Sequence, residues 1–192
     1  MDLTTAILTG LGLSAAAGLN AYIPLLLVGL LGYFDVVTLP EPYDALEIPW
    51  VLAILAVLLA VEVLADKIPV VDSVNDVIGT VIRPAAGAVL FAGSTGLIGD
   101  FPPAVSVVLG IITAGTVHGA KAAARPVFNA GTGGVAAPFV SVAEDGISLA
   151  LALVAVFVPV LVVVMLAGLM WLFLRWYRRR RARDRITSPS VT

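Results

Sequence analysis

Few side chains in this sequence can ionise, and those that can are spaced in a way that suggests shared work. Glu62 and Asp66 stand four residues apart, and so do Asp72 and Asp76, so each pair occupies one face of a helix. His118, Lys121 and Arg125 form a basic stripe at i, i+3 and i+7, and Glu144 with Asp145 opens a later apolar run. Asn20 precedes Pro24, and Asn129 lies in a glycine-rich stretch. Acids on one pair of helices and bases on another neutralise each other across a polar interior. Such a set lines a path for a cation or proton, with His118 titrating near neutral pH.

A plainer reading competes with this one. Charges that flank the ends of membrane spans rest in the headgroup layer, which accounts for Lys67, Arg83, Arg125, Glu144 and Asp145 without chemistry. Glu62 and His118 lie a turn or more inside. An ionised side chain at the bilayer centre costs roughly 2.5 to 3.5 kcal/mol even on a lenient scale, so those two need a partner or water. Asn20 beside Pro24 suits a broken-helix binding site, or a hydrogen bond between helices.

Asp72 and Asp76 are also candidate magnesium ligands, since carboxylates one turn apart hold the metal against a diphosphate in lipid-modifying enzymes. The solvated face of an amphipathic helix explains the same pair. The chain has no cysteine, which excludes disulfides, thiolate metal sites and cysteine nucleophiles. A single histidine argues against structural zinc. No cofactor is expected, because the glycines from Gly131 to Gly134 lack the strand and lysine of a phosphate loop.

These residues are set in text made for lipid. Of 192 residues, 60% are hydrophobic and 12% charged, with a mean hydropathy of +1.06. Soluble domains carry about 25% charged residues. One all-α membrane bundle is expected, spanning residues 1–177, followed by a basic cytoplasmic tail at 178–192. The run from Leu3 to Phe34 is a first helix kinked or broken by Gly18, Asn20 and Pro24. Asp2 and the absence of a base before this run argue against a cleaved signal. An exposed acidic connector covers Asp35 to Glu47. A second span covers Ile48 to Ala65, and an amphipathic helix, interfacial or folded back into the bundle, covers Val70 to Arg83. The third span, Pro84 to Ile98, is rich in small residues and is expected to be central. The fourth runs from Ala104 to Ala124. Pro126 to Val142 reads as a broken or re-entrant segment. The last span is Ile147 to Tyr177, with Trp171, Trp176 and Tyr177 at the interface.

Seven of the eleven bases fall between Arg175 and Arg185, with Asp184 the one acid among them. Cationic residues beside a span resist translocation, so the C-terminus is expected in the cytoplasm of a cell-membrane protein. The same tail attracts anionic lipid headgroups rather than nucleic acid. Five spans place Lys67, Arg83, Lys121 and Arg125 on the opposite side from the cytoplasm; a sixth crossing at Val127 to Val142 brings them back. The count stays at five or six. Leu11, Gly12 and Ala16 echo Leu109, Gly110 and Ala114, as a duplicated transporter architecture would.

The chain resembles the bacterial membrane-protein family called domain of unknown function 4126. The resemblance rests on GLSAAAGLNAYIPLL from Gly12 to Leu26, on EVLADKIPVVD from Glu62 to Asp72, and on the later His118, Lys121, Arg125 and Glu144–Asp145 signals. It covers nearly the whole chain except the tail, and implies a small multi-pass bundle without an established activity. The leading expectation is a small transporter or channel-like protein. The rivals are a non-catalytic scaffold or accessory subunit, with a homo-oligomer or another membrane protein as partner, and a metal-dependent lipid-modifying enzyme.

Overall fold

The computed structural model describes residues 2–65, 69–96, 98, 101–132 and 137–187, and the regular secondary structure among these is helical. In chain order the helices are α1 (Leu3–Leu19), α2 (Tyr22–Tyr33), a short 3-10 helix (Tyr43–Glu47), α3 (Pro49–Ala65), α4 (Pro69–Thr95), α5 (Pro103–Thr132), α6 (Ala137–Phe157) and α7 (Val160–Thr187). Among the described residues three stretches are long and apolar enough to cross a membrane: Asn75–Thr95, Pro103–Arg125 and Pro138–Phe157. Shorter apolar helices occupy Leu3–Leu19, Tyr22–Tyr33, Pro49–Ala65 and Val160–Leu172.

The break expected in the first apolar run falls at Asn20, whose extended backbone (φ −145°, ψ 121°) separates α1 from α2. The two helices do not continue in line. Thr9 and Leu13 of α1 and Val28 of α2 line one cavity. Collinear helices would hold Thr9 and Val28 about 28 Å apart at 1.5 Å per residue. Thus α2 folds back beside α1, and the two form a helical hairpin with Asn20 at its tip.

Helix α1 sits at the centre of the bundle beside the third span, whose Ala86, Leu90, Phe91 and Ala92 are buried as expected. The small residues of α1 are the reason. Ala6, Ala15, Ala16, Ala17 and Gly18 are buried, and the helix is packed by α4, α5, α6 and α7. A Cβ on Gly12 would collide with Ala155 and Val162, and one on Gly18 with the Ala114 carbonyl and Val117. The small residues of α4 serve a second close approach, where Gly87 meets Gly110 and Ala114 of α5. Ser14 fastens α1 to this junction by donating to the Gly87 carbonyl at 2.8 Å.

Three boundaries differ from the sequence reading. The amphipathic segment and the third span are one helix, since α4 runs through Pro84 without ending. Proline forfeits a single ladder bond, and a helix packed by neighbours on both sides of it survives that loss. The text after Pro126 is likewise helical as far as Thr132 and again from Ala137; residues 133–136, at the heart of the expected broken segment, lie outside the described residues. Finally, the last apolar run is two helices. Pro159 lacks the N–H that would bond Ala155, so α6 stops at Phe157 and α7 starts at Val160. From there α7 continues to Thr187, and Arg175 stacks 5.0 Å over the Trp171 ring.

The amphipathic part of α4 is turned inside out relative to a soluble helix. Val77 and Val81 are 71% and 73% exposed, while Arg83 on the other face is 1% exposed. Val57, Val61 and Leu64 of α3, Val108 and Ile112 of α5, and Val163 and Val164 of α7 also face outward. A hydrocarbon solvent explains this arrangement: apolar side chains need no shelter, and the polar ones do.

Candidate functional site

Asn20 organises the hairpin tip through both ends of its amide. Its Oδ1 accepts the backbone N–H groups of Tyr22 at 3.0 Å and Ile23 at 3.1 Å, two of the donors that the first turn of α2 leaves unpaired. Its Nδ2 donates to Asp145 Oδ1 at 2.9 Å, which ties the tip to α6. The other helix end at the tip is met by Lys121, whose Nζ donates to the Leu19 carbonyl at 3.1 Å. A cation at a helix C-terminus also complements the helix dipole. Ser148 of α6 adds a donor to the Ala16 carbonyl at 3.0 Å.

From this tip a chain of alternating charges crosses the bundle. Lys121 pairs with Glu144 Oε2 at 2.9 Å, and the same oxygen takes Arg125 Nη2 at 3.2 Å. Arg125 Nη1 reaches Asp76 Oδ2 at 3.2 Å, and Asp76 Oδ1 lies 3.6 Å from Arg83 Nη1. Arg83 Nη2 then donates to Glu62 Oε1 at 3.0 Å. Four helices supply the members: α3 gives Glu62, α4 gives Asp76 and Arg83, α5 gives Lys121 and Arg125, and α6 gives Glu144. Glu62, Arg83, Lys121 and Arg125 are all buried.

His118 branches from the centre of this chain. Its Nδ1 lies 2.9 Å from Arg83 Nη1, and its Nε2 lies 3.3 Å from Thr80 Oγ1. A guanidinium only donates, so Nδ1 is the acceptor and the ring proton sits on Nε2, facing Thr80. Thr80 can accept that proton, because its own hydroxyl hydrogen goes to the Asp76 carbonyl at 3.1 Å.

Each ion in such a place loses several kcal/mol of hydration, of order 3 to 5 kcal/mol being forfeited again when one member of a buried pair is removed. Alternation is what makes the burial tolerable, since every cation here faces at least one carboxylate. Some bonding capacity is nevertheless unused. Among the described residues Arg83 Nε has no hydrogen-bond partner, and Asp76 Oδ1 accepts no hydrogen bond.

Of the residues singled out from sequence, the structure brings Asn20, Glu62, Asp76, His118, Lys121 and Arg125 into this one region. Asp66 lies outside the described residues, and so do the side chains of Asp72 on α4 and Asn129 on α5. The expected Asp72–Asp76 metal pair therefore has one describable member, and Asp76 is turned toward two guanidinium groups. Among the described residues no three His, Asp or Glu side chains are grouped to hold a metal ion.

Four residues that the plainer reading placed at span ends belong to the interior instead, Arg125 of the charge chain among them. Arg83 is the most deeply buried ion in the chain of pairs, Glu144 bridges two bases, and Asp145 holds the hairpin tip. A signal for Arg83 was present: it shares a helical face with Asp76, seven residues earlier. That polar face was legible; its inward direction was not.

Comparison with known proteins gives one match. A family model described as "Domain of unknown function (DUF4126)" matches residues 7–179. No curated protein and no solved structure matches the chain.

Proposed function

Because the chain belongs to the domain of unknown function 4126 family, whose description assigns no activity, we propose its role from the site itself: a small membrane carrier that moves a proton or small cation through the buried charge chain. The observation that carries this reading is the Asn20 hairpin tip inside that chain. Helix ends placed within a bundle, rather than at its rims, are how carriers form ion sites, with carbonyls at one end and N–H groups at the other. Here Lys121 holds the carbonyl end and the Asn20 side chain holds the N–H end. Release of either opens a polar position beside Glu144 and Asp145.

The hairpin also supports a definite membrane topology. With α1 and α2 entering and leaving on one side, α3 to α7 make five crossings. The N-terminus and the acidic 35–47 connector then lie outside, and the C-terminal arginines lie in the cytoplasm of a cell-membrane protein. Lys121 and Arg125, in the half of α5 that leads away from the connector, fall toward the cytoplasm. This removes the conflict between five spans and the charge bias. The α7 arginines engage anionic headgroups there.

A second reading is favoured by a specific observation: Arg83, Lys121 and Arg125 each already face a carboxylate. A fully neutralised interior suits a scaffold whose charges lock helices together. Proteoliposomes with a pH dye inside and a potassium diffusion potential separate the two. Under the carrier reading, wild-type protein dissipates a proton or sodium gradient, and His118→Ala or His118→Gln abolishes flux while the protein stays folded. Under the scaffold reading neither cation moves, and the same substitutions act on stability.

A further inference from the structure

The connector between α2 and α3, residues 35–47, is a strap laid across the end of the bundle remote from the charge chain. It meets α4 at Gly93, ten residues past Arg83 and so about 15 Å along the helix axis. None of its residues is fully buried, and its two faces differ in chemistry: Val37, Leu39, Tyr43 and Leu46 are half-buried, whereas Asp35, Glu41 and Asp44 are exposed. Two helices carry it. On α2 the Leu46 carbonyl and the Glu47 side chain rest on Gly29 and Gly32, where neither glycine has room for a Cβ. On the α4 side Tyr43 rests on Gly93, and Pro40 on Gly96, where a Cβ would come within 2.7 Å of the proline Cγ. Contact alone holds this second side. Among the described residues the strap's hydrogen bonds run within itself, to Leu31 and Gly32 of α2, or to Ile48 ahead of α3, and none reaches α1, α4 or α6. Beneath it lies a cavity of about 140 Å³, bordered by Thr9 of α1, Leu90 of α4 and Val156 of α6, and by Leu39, Tyr43 and Leu46 of the strap. Side chains that border a void forfeit contacts on that side, so lifting them costs less than drawing them from a filled core. A segment with no buried side chain, no hydrogen bond across its seat and a void beneath it belongs to the part of a structure that opens first.

We propose that residues 35–47 are a hinged lid: seated as here they cover the cavity, and lifted from Gly93 and Gly96 they open it to the connector side. The hinges are the two ends of the strap, where it is bonded to α2 and to the head of α3. Under the five-crossing topology the connector side is outside, so the lid is an outer gate and the cavity is the vestibule behind it. Leu13 on the cavity wall precedes Asn20 at the hairpin tip by seven residues, about 10 Å along α1. The gating role rests on the carrier reading; the lifting motion does not.

The chain has no cysteine, so introduced ones report without background. A Cβ at Gly93 lies 3.5 Å from that of Tyr43, within the range of about 3.5 to 4.5 Å that a disulfide bridges. The whole protein carrying Tyr43→Cys with Gly93→Cys, reconstituted in proteoliposomes, is expected to cross-link on mild oxidation. Flux of protons or sodium then falls about tenfold and returns on reduction, as it does for a lid that must open in each cycle. Each single variant is expected to ignore the oxidant. Lifting is read separately, without flux, by Thr9→Cys in intact cells. That side chain lies on the cavity and is 6% exposed, so a bulky impermeant maleimide reaches it only when the lid is raised. Ser14→Cys, buried on the same helix but not lining the cavity, is expected to stay unreactive. An unreactive Thr9→Cys overturns the lid, and so does equal labelling of Ser14→Cys, which means that the whole bundle loosens. Failure of the folded pair to cross-link overturns the seating, and flux that persists through the cross-link overturns the gate. Absence of flux in the wild type overturns the carrier reading, while Thr9→Cys still decides the lid. Should the double variant fail to fold, Thr9→Cys decides alone.

Discussion

Arg83 on α4 donates to Glu62 on α3 at 3.0 Å, with side chains 1% and 5% exposed, and no other described ion pair in the protein is so fully removed from the surface. Its length and burial mean that neither charge has a nearby alternative in solvent. Removing one partner leaves the other ionised in a low-dielectric interior. Glu62→Leu and Arg83→Met are each expected to destabilise the folded protein by about 3 to 5 kcal/mol. The double substitution Glu62→Leu with Arg83→Met should cost clearly less than the sum. Unfolding in mixed micelles with increasing sodium dodecyl sulfate measures all three, and strict additivity would sink the pairing argument.

Asn20 caps α2 and ties the hairpin tip to Asp145, so its replacement acts on both. Asn20→Ala should cost about 1 to 2 kcal/mol, the value of a lost helix cap, plus the bond to Asp145. Asn20→Asp keeps the cap but sets a carboxylate against Asp145. It is therefore expected to be worse than a conservative change should be, and Asp145→Asn added to it should recover much of the loss. The same micelle titration reads the result.

Backbone contact at the α4–α5 crossing leaves no room for a side chain at Gly87. A Cβ there would lie 2.5 Å from Ala114 Cβ and 2.7 Å from the Gly110 carbonyl oxygen. Gly87→Ala must therefore separate the helices, at about 1 to 3 kcal/mol. Gly119 on the same helix pair's outer side has nothing within 4 Å of a built Cβ. Gly119→Ala should be neutral or slightly stabilising, and equal effects at the two positions would contradict the packing described.

The absence of cysteine makes topology directly readable. Single cysteines introduced at Thr4, Thr38 and Thr187 can be reacted in intact cells with a membrane-impermeant maleimide. Under the hairpin topology Thr4→Cys and Thr38→Cys react from outside, and Thr187→Cys reacts only after the membrane is opened. Labelling of Thr4→Cys and Thr38→Cys from opposite sides would mean that α1 and α2 cross as one span.

Much of the polar interior could be read in advance because ions in apolar text have few places to go. The stripe at His118, Lys121 and Arg125 and the inward need of Glu62 followed from helical spacing and the cost of a lone charge in hydrocarbon. Glu144 and Asp145 were harder, because a position near a span end fits a headgroup as well as a partner. Periodicity reports which residues share a face, and says nothing about which way that face turns.

By itself, the sequence determined that the chain is helical and suited to lipid, that the first apolar run is kinked or broken somewhere between Gly18 and Pro24, and that acids and bases are numerous enough inside to require one another. Those properties follow from local geometry and from transfer energies, which belong to each residue and its near neighbours. Tertiary structure alone decided that α2 folds back on α1, that α1 joins the third span at the centre, and that Arg83 joins Glu62, Asp76 and His118. Such outcomes depend on which backbones approach closely enough to pack. Gly12, Gly18 and Gly87 permit those approaches, and nothing in their spacing along the chain says which partner each will meet.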